Sequence, residues 1–377
     1  MDARRIQIGR LTVELSGSGP LFDVAVEELE RQPVASAERP ADLVFNFGPV
    51  ELPDGAYVDL GPFRVGKGWI FVRDKYLPHL IDCTASRTRV TVEAKIRYLG
   101  STVVRQLIRP IDHSYNDVWR RISKRFYYVV FNQALQLHQL QRGQTLVHAS
   151  SCANRDGALL LMAWGGIGKT SSLIQLLNEG SWQFLSDDLG IIDREGQLFR
   201  SPLKMQIYPY SLAGEDELSR GLMRGRSIMD RAQWVARRRL LGPKSVRRRV
   251  HPEDLFGKDR GAVSAPVTRA IMLRRSNVSQ CVFRAMPIAS AAEMSAHILE
   301  YELQLFGAIL AASAAAGTAE EGFGIGLDQT RATALAAETI ASGLAKMNAR
   351  VSLLDIPLQA KPADLLAALT QYLNPAR

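Results

Sequence analysis

The sequence has 377 residues, of which 46% are hydrophobic and 23% are charged, a profile typical of a globular protein with room for two hydrophobic cores. No apolar run reaches the roughly 18–20 residues that cross a bilayer, and the N-terminus lacks the apolar stretch of a secretory signal, so we expect a cytoplasmic protein with no membrane partner. The formal net charge of +9 favours anionic partners, whereas three scattered cysteines exclude a disulfide framework and a four-ligand zinc site.

The N-terminal part predicts a small, mostly β domain of the α+β type. Its short apolar runs are broken by Gly, Pro and Asp, and they lie at residues 6–15, 41–48, 57–65, 68–74 and 89–96. A helix is expected over 24–32. From Tyr115 to Gln141, apolar residues recur at intervals of three and four without Gly or Pro, which predicts one long amphipathic helix. We therefore place the first domain at residues 1–142 and a second at 143–377.

The second domain begins with the pattern of an α/β unit. The run 157–164 is apolar throughout, as in a strand buried on both faces, and a helix over 169–178 and a strand over 183–188 follow it. Further strands are predicted at 144–152, 189–193, 204–209, 268–275, 280–286 and 350–356, and helices at 291–307, 330–347 and 362–373. The Ala- and Gly-rich residues 311–326 predict a loop or a loose helix end.

A glycine-rich loop joins the apolar strand to the helix. Residues 163–170 read A-x-x-x-x-G-K-T, which departs from the standard phosphate-binding pattern only at Ala163. Such a loop offers backbone N–H groups and the positive end of a helix to phosphates, Lys169 adds a charge, and Thr170 a hydroxyl for Mg²⁺. The alternative is a structural turn. The predicted nucleotide-binding residues are Gly165, Gly166, Ile167, Gly168, Lys169, Thr170 and Ser171.

Two carboxylates and a histidine accompany this loop. Asp187 and Asp188 follow Thr170 by 17 and 18 residues and end an apolar strand, so that one can face Mg²⁺ while the other reaches an acceptor hydroxyl. The alternative is a turn pair, which Asp favours. His148 precedes the loop by 15 residues and is either an active-site group or a satisfied structural histidine.

His148, the loop, Gly180 and the run FLSDD together resemble the catalytic core of HPr kinase/phosphorylase, over about residues 146–193. The lysine loop and paired aspartates are also similar, more distantly, to phosphoenolpyruvate carboxykinase. The resemblance implies a P-loop kinase core that uses ATP and Mg²⁺ to phosphorylate a Ser or Thr hydroxyl of a peptide or protein, with the N-terminal domain helping in recognition. It also implies an oligomer.

The resemblance assigns roles to the site residues. Lys169 would bind the triphosphate, Thr170 and Asp187 would hold Mg²⁺, Asp188 would be the base, and His148 would lie at the rim, although the sequence leaves open which aspartate is the base. The family's Glu-Ile-Arg-Gly-type segment is missing, and residues 199–215 stand in its place. The chain therefore looks like a divergent relative, such as the kinases beside pathways that modify ribosomal peptides, and a reverse phosphorylase activity is in doubt.

Other functions stay open. A kinase for small hydroxyl compounds and a nucleotide-binding regulatory module without transfer are the main alternatives, whereas no second metal and carboxylate site supports carboxykinase chemistry. Residues 237–249 hold seven basic side chains, which predict either a solvated, mobile loop or a dock for an acidic acceptor. Arg200 and Lys204 are expected to be exposed cations at a strand edge or phosphate contacts. No recognition motif or aromatic stacking pattern supports nucleic-acid binding.

Overall fold

The structure is a computed structural model that describes residues 2–36, 38–84, 87–95, 118–212, 216–243, 245–317 and 327–373. The chain is a mixed α/β protein in which parallel and antiparallel strands share the same sheets. Its contacts divide it into two compact units. The first unit comprises residues 1–109, 116–145 and 300–336, and the second comprises 110–115, 146–299 and 337–377.

The strands within the described residues are short, with the exception of β17. In chain order they are β1 (Asp2–Ile8), β2 (Leu11–Gly17), β3 (Leu43–Phe47), β4 (Tyr57–Asp59), β5 (Phe63–Gly66), β6 (Trp69–Val72), β7 (His79–Thr84), β8 (Arg87–Val92), β9 (Gln144–Val147), β10 (Ala149–Asn154), β11 (Gly157–Met162), β12 (Gln183–Ser186), β13 (Gly190–Asp193), β14 (Gln197–Phe199), β15 (Met205–Ile207), β16 (Arg248–Val250), β17 (Ser264–Ser276), β18 (Val282–Ala285) and β19 (Arg350–Pro357).

The helices are distributed over both units. In chain order they are α1 (Pro20–Glu28), α2 (Val118–Phe126), α3 (Asn132–Gln141), α4 (Lys169–Asn178), α5 (Asp216–Met223), α6 (Ile228–Leu241), α7 (Glu253–Phe256), α8 (Ile288–Glu302), α9 (Gln304–Ala315), α10 (Gln329–Lys346) and α11 (Pro362–Leu373). Among the described residues no single helix is long and apolar enough to cross a membrane, although α8 and α9 together, as a bent pair, reach the necessary length and composition.

The first unit contains an eight-stranded sheet in the order β1-β2-β3-β8-β7-β6-β5-β4. Strand β3 is parallel to both β2 and β8, and the other neighbours are antiparallel. The long helix predicted from Tyr115 is helical from Val118 onward, with one π-helical turn between α2 and α3, and residues 115–117 lie outside the described part. Phe45 of the sheet stacks on Phe131 at 4.9 Å between ring centroids and fixes this helix on the sheet.

The second unit contains a nine-stranded sheet whose main path runs β12-β10-β11-β17-β14-β13-β9. Strand β17 is parallel to β11 on one side and to β19 on the other, and β18 pairs with β19. Strand β11 is buried along its whole length, as its unbroken apolar run predicts. Helices α4 and α11 pack against each other, and both contribute to one hydrophobic core cluster. The separate ribbon β15-β16 is antiparallel.

Several expectations differ from the structure. The helix expected over 291–307 is broken at Leu303, and residues 311–315, expected as a loop or loose end, belong to α9. Residues 318–326 lie outside the described part. Helix α9 contacts β5 and α3, so residues 300–336 belong to the first unit although they follow the second unit's strands in the sequence. The chain rejoins the first unit because of tertiary packing, and no local sequence pattern predicts it.

The interpretation of residues 237–249 as a solvated loop is wrong for its secondary structure and for two of its arginines, whereas Arg238 and Arg239 are exposed as expected. The segment continues α6 to Leu241 and then enters β16 at Arg248. Arg237 is 1% exposed and Arg248 is 6% exposed. A charge run reads as solvated because its pattern alone does not show the partners that permit burial, here the carboxylate of Asp230 for Arg248.

Candidate functional site

The glycine-rich loop lies at the carboxyl end of β11 and leads into α4. Gly166 and Gly168 have φ angles of 77° and 124°, which side-chain-bearing residues adopt only with strain. A Cβ at Gly168 would also lie 2.9 Å from Leu365 Cδ2. A Cβ at Gly166 would meet nothing within 4 Å, so the outer side of the loop is open. Turn geometry and space for a ligand are therefore both present.

Lys169 is directed back into this loop. Its side chain is buried, and Nζ donates hydrogen bonds to the carbonyl oxygens of Ala163 at 2.6 Å and Trp164 at 3.0 Å. Nζ also lies 3.5 Å from His148 Nε2. Two carbonyl contacts hold the ammonium at the loop, where it can exchange them for phosphate oxygens without moving far. Ala163, which replaces the usual glycine, is fully buried.

Asp187 is placed against the first turn of α4. Thr170 Oγ1 donates to Asp187 Oδ1 at 2.7 Å, and the backbone N–H of Gln206 donates to Oδ2 at 2.8 Å. Ser150 Oγ donates to the carbonyl oxygen of Asp187 at 2.6 Å. Burial raises the pKa of the Asp187 carboxyl to about 6, against the lowering effect of the Gln206 and Thr170 hydrogen bonds. A buried carboxylate of this kind is stabilised by a cation.

Asp188 is directed to a different group and is more exposed, with 32% of its side chain accessible. Its Oδ1 lies 3.3 Å from His148 Nε2, and its Oδ2 accepts a hydrogen bond from Gln206 Nε2 at 3.0 Å. His148 Nε2 therefore contacts both Asp188 and Lys169. When this nitrogen carries a proton it donates to Asp188, and when it does not it accepts from Lys169.

The five residues predicted to carry chemistry are brought together by the ends of β9, β11 and β12 and by the start of α4. They are His148, Lys169, Thr170, Asp187 and Asp188. The two remaining predicted side chains face inward: Ser171 is buried in the first turn of α4, and Ile167 packs against the hydrophobic core that contains Leu173 and Leu365. At those two positions only the backbone is available to a phosphate.

Three site residues were not predicted. Ser150 and Gln206 hold Asp187, and Gln206 also contacts Asp188. Tyr208, two residues beyond Gln206, has a pKa raised to about 12 by burial and by the nearby charges of Tyr210, Asp188 and Asp187. Alternation along 204–209 could have placed Gln206 and Tyr208 on one face, but nothing local relates that face to the aspartates.

Arg200 does not belong to this site. The expectation of an exposed cation at a strand edge is wrong, because Arg200 is 8% exposed and its Nη1 lies 2.5 Å from Glu253 Oε1. Burial acts to raise the pKa of Glu253, but the hydrogen bond and charge of Arg200 leave it below its ordinary value. This buried ion pair joins α7 to the chain after β14. Lys204 is half-buried.

A divalent cation would find two oxygen ligands here. Within the described ranges, no group of three or more His, Cys, Asp or Glu side chains is arranged to hold a metal ion. Mg²⁺ commonly binds to one or two protein oxygens and completes its shell with phosphates and water. The hydroxyl of Thr170 and the carboxylate of Asp187, already 2.7 Å apart, fit that donor set.

No protein-family model and no curated protein matches this chain. What the site can do chemically is therefore inferred from its own side chains. These are a lysine inside a glycine-rich turn, a buried hydroxyl and carboxylate pair, and a second carboxylate beside a histidine.

Proposed function

We propose that this chain is an ATP- and Mg²⁺-dependent kinase that phosphorylates a Ser or Thr hydroxyl of a peptide or protein, on a P-loop core like that of HPr kinase/phosphorylase. One observation carries the proposal. Lys169 at the open loop and Asp188 are both within 3.5 Å of the same atom, His148 Nε2. A cation suited to phosphate and a carboxylate able to accept a proton thus both contact one imidazole nitrogen, which brings them close enough to act on the same phosphoryl group.

The loop supports the nucleotide half of the proposal. Lys169 can exchange the carbonyls of Ala163 and Trp164 for phosphate oxygens, and the space beside Gly166 is open. Thr170 and Asp187 would hold Mg²⁺, which when bound offsets the charge on the phosphates. Ser150 and Gln206 keep Asp187 in place from the other side.

Asp188 supports the acceptor half. Its contacts with His148 and Gln206 fix the carboxylate, and its partial exposure leaves it accessible to a hydroxyl. In the transfer, the acceptor oxygen forms a bond to the γ-phosphorus, the bond from that phosphorus to the β-phosphate oxygen breaks, and the hydroxyl proton passes to Asp188. Asp187 is less suited to this step because its carboxylate is buried against Thr170, where Mg²⁺ would bind.

The test is a transfer assay with γ-labelled ATP and Mg²⁺, in which serine and threonine peptides and small alcohols are offered as acceptors. Label is expected on a peptide hydroxyl, and it should be lost in Lys169→Ala and Asp188→Asn. The exposed Lys258→Ala variant is the matched lysine control and should keep full activity.

Three other results would contradict part of this proposal. Transfer to small alcohols alone would identify a small-molecule kinase. ATP binding without any transfer would favour a regulatory module. Full activity in Asp188→Asn would remove the proposed base.

A further inference from the structure

The outer side of α6 carries exposed aliphatic side chains. Four of them have exposed fractions between 47% and 84%, and they are Ile228, Met229, Val235 and Leu240. Ile228 and Val235 are close to two helical turns apart, so they lie along one line of the helix. The opposite side of α6 is buried through Trp234 and Arg237. Single exposed aliphatic residues are common at protein surfaces, but a group on one helix marks an interaction surface.

The same surface is basic. Five exposed arginines lie on α6 and on the turn that precedes it: Arg224, Arg226, Arg231, Arg238 and Arg239. Together with the four aliphatic residues they form what we call the α6 face. Residues 224–241 are all described by the structure, and their single acidic residue is Asp230, whose carboxylate pairs with the buried Arg248. No exposed carboxylate within 224–241 therefore offsets the charge of the five arginines.

Arginines and aliphatic side chains lie close together on the α6 face. With 3.6 residues per turn, Arg231, Arg238 and Arg239 fall within about a quarter turn of the line through Ile228 and Val235. Guanidinium groups bind carboxylates through paired hydrogen bonds, and exposed aliphatic side chains gain free energy when a ligand buries them. The α6 face therefore fits a ligand that carries both carboxylates and apolar side chains.

Charge decides which occupant fits. A second copy of this chain does not, because the chain has a net charge of +9 and like charges repel each other. An open groove of about 760 Å³ borders the α6 face, and Arg224 and Arg231 line it together with Asp216 and Glu217. These two carboxylates repel an acidic ligand, which therefore lies along α6 and not in the groove.

The ribbon β15-β16 connects α6 to the aspartates of the candidate site. Asp230, in the first turn of α6, pairs with Arg248 of β16. Gln206 of β15 donates from Nε2 to Asp188 Oδ2 at 3.0 Å. In the register of the ribbon Arg248 lies opposite Ile207, the residue after Gln206, so Arg248 and Gln206 point to opposite faces. Helix α6 and Asp188 are thus held on different sides of the ribbon.

We propose that the α6 face docks an acidic, amphipathic segment of the substrate polypeptide, separate from the hydroxyl that is phosphorylated, which rests on the kinase function proposed above. A helix is about 10–12 Å thick, and with the ribbon beneath it the outer side of α6 is on the order of 20 Å from Asp188. An extended chain advances about 3.3 Å per residue, so about six residues or more separate the docking segment from the acceptor. The substrate is a peptide or protein in which an acidic, aliphatic segment is joined by a linker to a serine or threonine.

The test uses two fluorescent peptides, each with a single serine. In the glutamate probe, a segment with glutamates and leucines at helical spacing is joined to the serine by about eight glycine and alanine residues. In the glutamine probe, glutamine replaces every glutamate. Binding to the full chain is followed by fluorescence anisotropy. The variants are Arg238→Gln/Arg239→Gln and Ile228→Ser/Val235→Ser, and the matched control is Arg155→Gln/Lys258→Gln, which removes two exposed cations of the same unit outside the α6 face.

The unmodified chain should bind the glutamate probe at least about tenfold more tightly than the glutamine probe. Each of the two α6 variants should lose at least about tenfold in affinity for the glutamate probe, and the control should keep it. Equal binding of the two probes by the unmodified chain overturns the docking surface. So does a control that weakens binding as much as Arg238→Gln/Arg239→Gln, because the attraction then comes from the overall charge and not from this face.

The competing occupants have readouts of their own. Cosedimentation with phosphatidylglycerol vesicles but not with phosphatidylcholine vesicles, lost in Arg238→Gln/Arg239→Gln and accompanied by equal affinity for the two probes, would assign the face to an anionic membrane and overturn the proposal. A dimer that the same variant dissociates in sedimentation velocity would assign the face to a second copy, with the same consequence.

The transfer assay distinguishes the docking surface from the kinase function. If the glutamate probe binds through the α6 face but receives no label from γ-labelled ATP, the docking surface stands and the kinase function fails. If label is transferred equally to both probes by the unmodified chain and by Arg238→Gln/Arg239→Gln, the kinase function stands and the docking surface fails. If both proposals hold, this variant should raise KM for the glutamate probe at least about tenfold and leave kcat unchanged.

Discussion

Replacing Asp187 with Asn should stabilise the chain at neutral pH while removing its activity. The pKa of the Asp187 carboxyl is about 6 in the folded chain, against an ordinary value of 3.8, because burial outweighs its hydrogen bonds. Asn keeps the shape: its amide oxygen can accept from the Gln206 N–H, and its NH₂ can donate to Thr170 Oγ1, which then reverses its role. The substitution therefore removes the buried charge with little loss of contacts.

The size of the stability gain follows from the difference between the folded and unfolded pKa of Asp187. Between pH 3.8 and about 6 the folded chain binds more protons at Asp187 than the unfolded chain does, so its stability falls as pH rises through this range. At about 1.36 kcal/mol per pKa unit, the ionised carboxylate costs about 1.6 kcal/mol at pH 5 and about 3 kcal/mol at pH 8. Asp187→Asn should be more stable than the unmodified chain by these amounts in the absence of nucleotide and Mg²⁺.

Urea unfolding followed by tryptophan fluorescence checks this, because Trp164, Trp182 and Trp234 lie in the same unit as Asp187. The measured quantity is the difference in unfolding free energy between variant and unmodified chain at pH 5 and pH 8. The matched control is Asp188→Asn at the neighbouring carboxylate, which is one-third exposed. A difference that stays constant with pH, or an unmodified chain more stable than Asp187→Asn at pH 8, would refute the reasoning.

Three further outcomes are expected. At subsaturating Mg²⁺, ATP turnover should rise as pH increases through about 6, because Asp187 must lose its proton to become a metal ligand. A turnover that stays flat between about pH 5 and 7 would exclude Asp187 from the metal site. Gly168→Ala should weaken ATP binding at least about tenfold by calorimetry, because φ is 124° and the new Cβ meets Leu365, and unchanged affinity would show that the loop can relax. Arg200→Ala should destabilise the chain by about 3–5 kcal/mol in urea unfolding, because Glu253 is left buried and unpaired. The double variant Arg200→Ala/Glu253→Gln should recover part of this loss. A stability loss below about 1 kcal/mol would contradict the assignment of a buried ion pair.

The local part of the site could be predicted from the sequence. The apolar run before Ala163, the glycines and the helix after Lys169 are adjacent in the chain, so periodicity and composition place them correctly. The different directions of Asp187 and Asp188 follow from alternation at a strand end. The roles of these residues stay predictions until transfer is measured.

The non-local part could not be predicted. Ser150 meets Asp187 only because β10 pairs with β12, and Gln206 meets both aspartates through a chain reversal after β14. Sheet order is fixed by packing between distant segments, and a single sequence carries little trace of it. The buried arginines were missed for a related reason. Arg237 and Arg248 resemble surface residues until their neighbours in space are known.

Because Lys169 already contacts two carbonyl oxygens, an anion binds at this loop only if it attracts the ammonium more strongly than they do. An incoming anion gains only the difference between its own attraction for the ammonium and that of the Ala163 and Trp164 carbonyls, which it displaces. A ligand with little negative charge leaves the lysine where it is and gains almost nothing. A polyphosphate chelated to a cation bound by Thr170 and Asp187 recovers that cost at several atoms at once. If the proposed function holds, the resting loop would therefore favour a nucleoside triphosphate with its cation over a single phosphate.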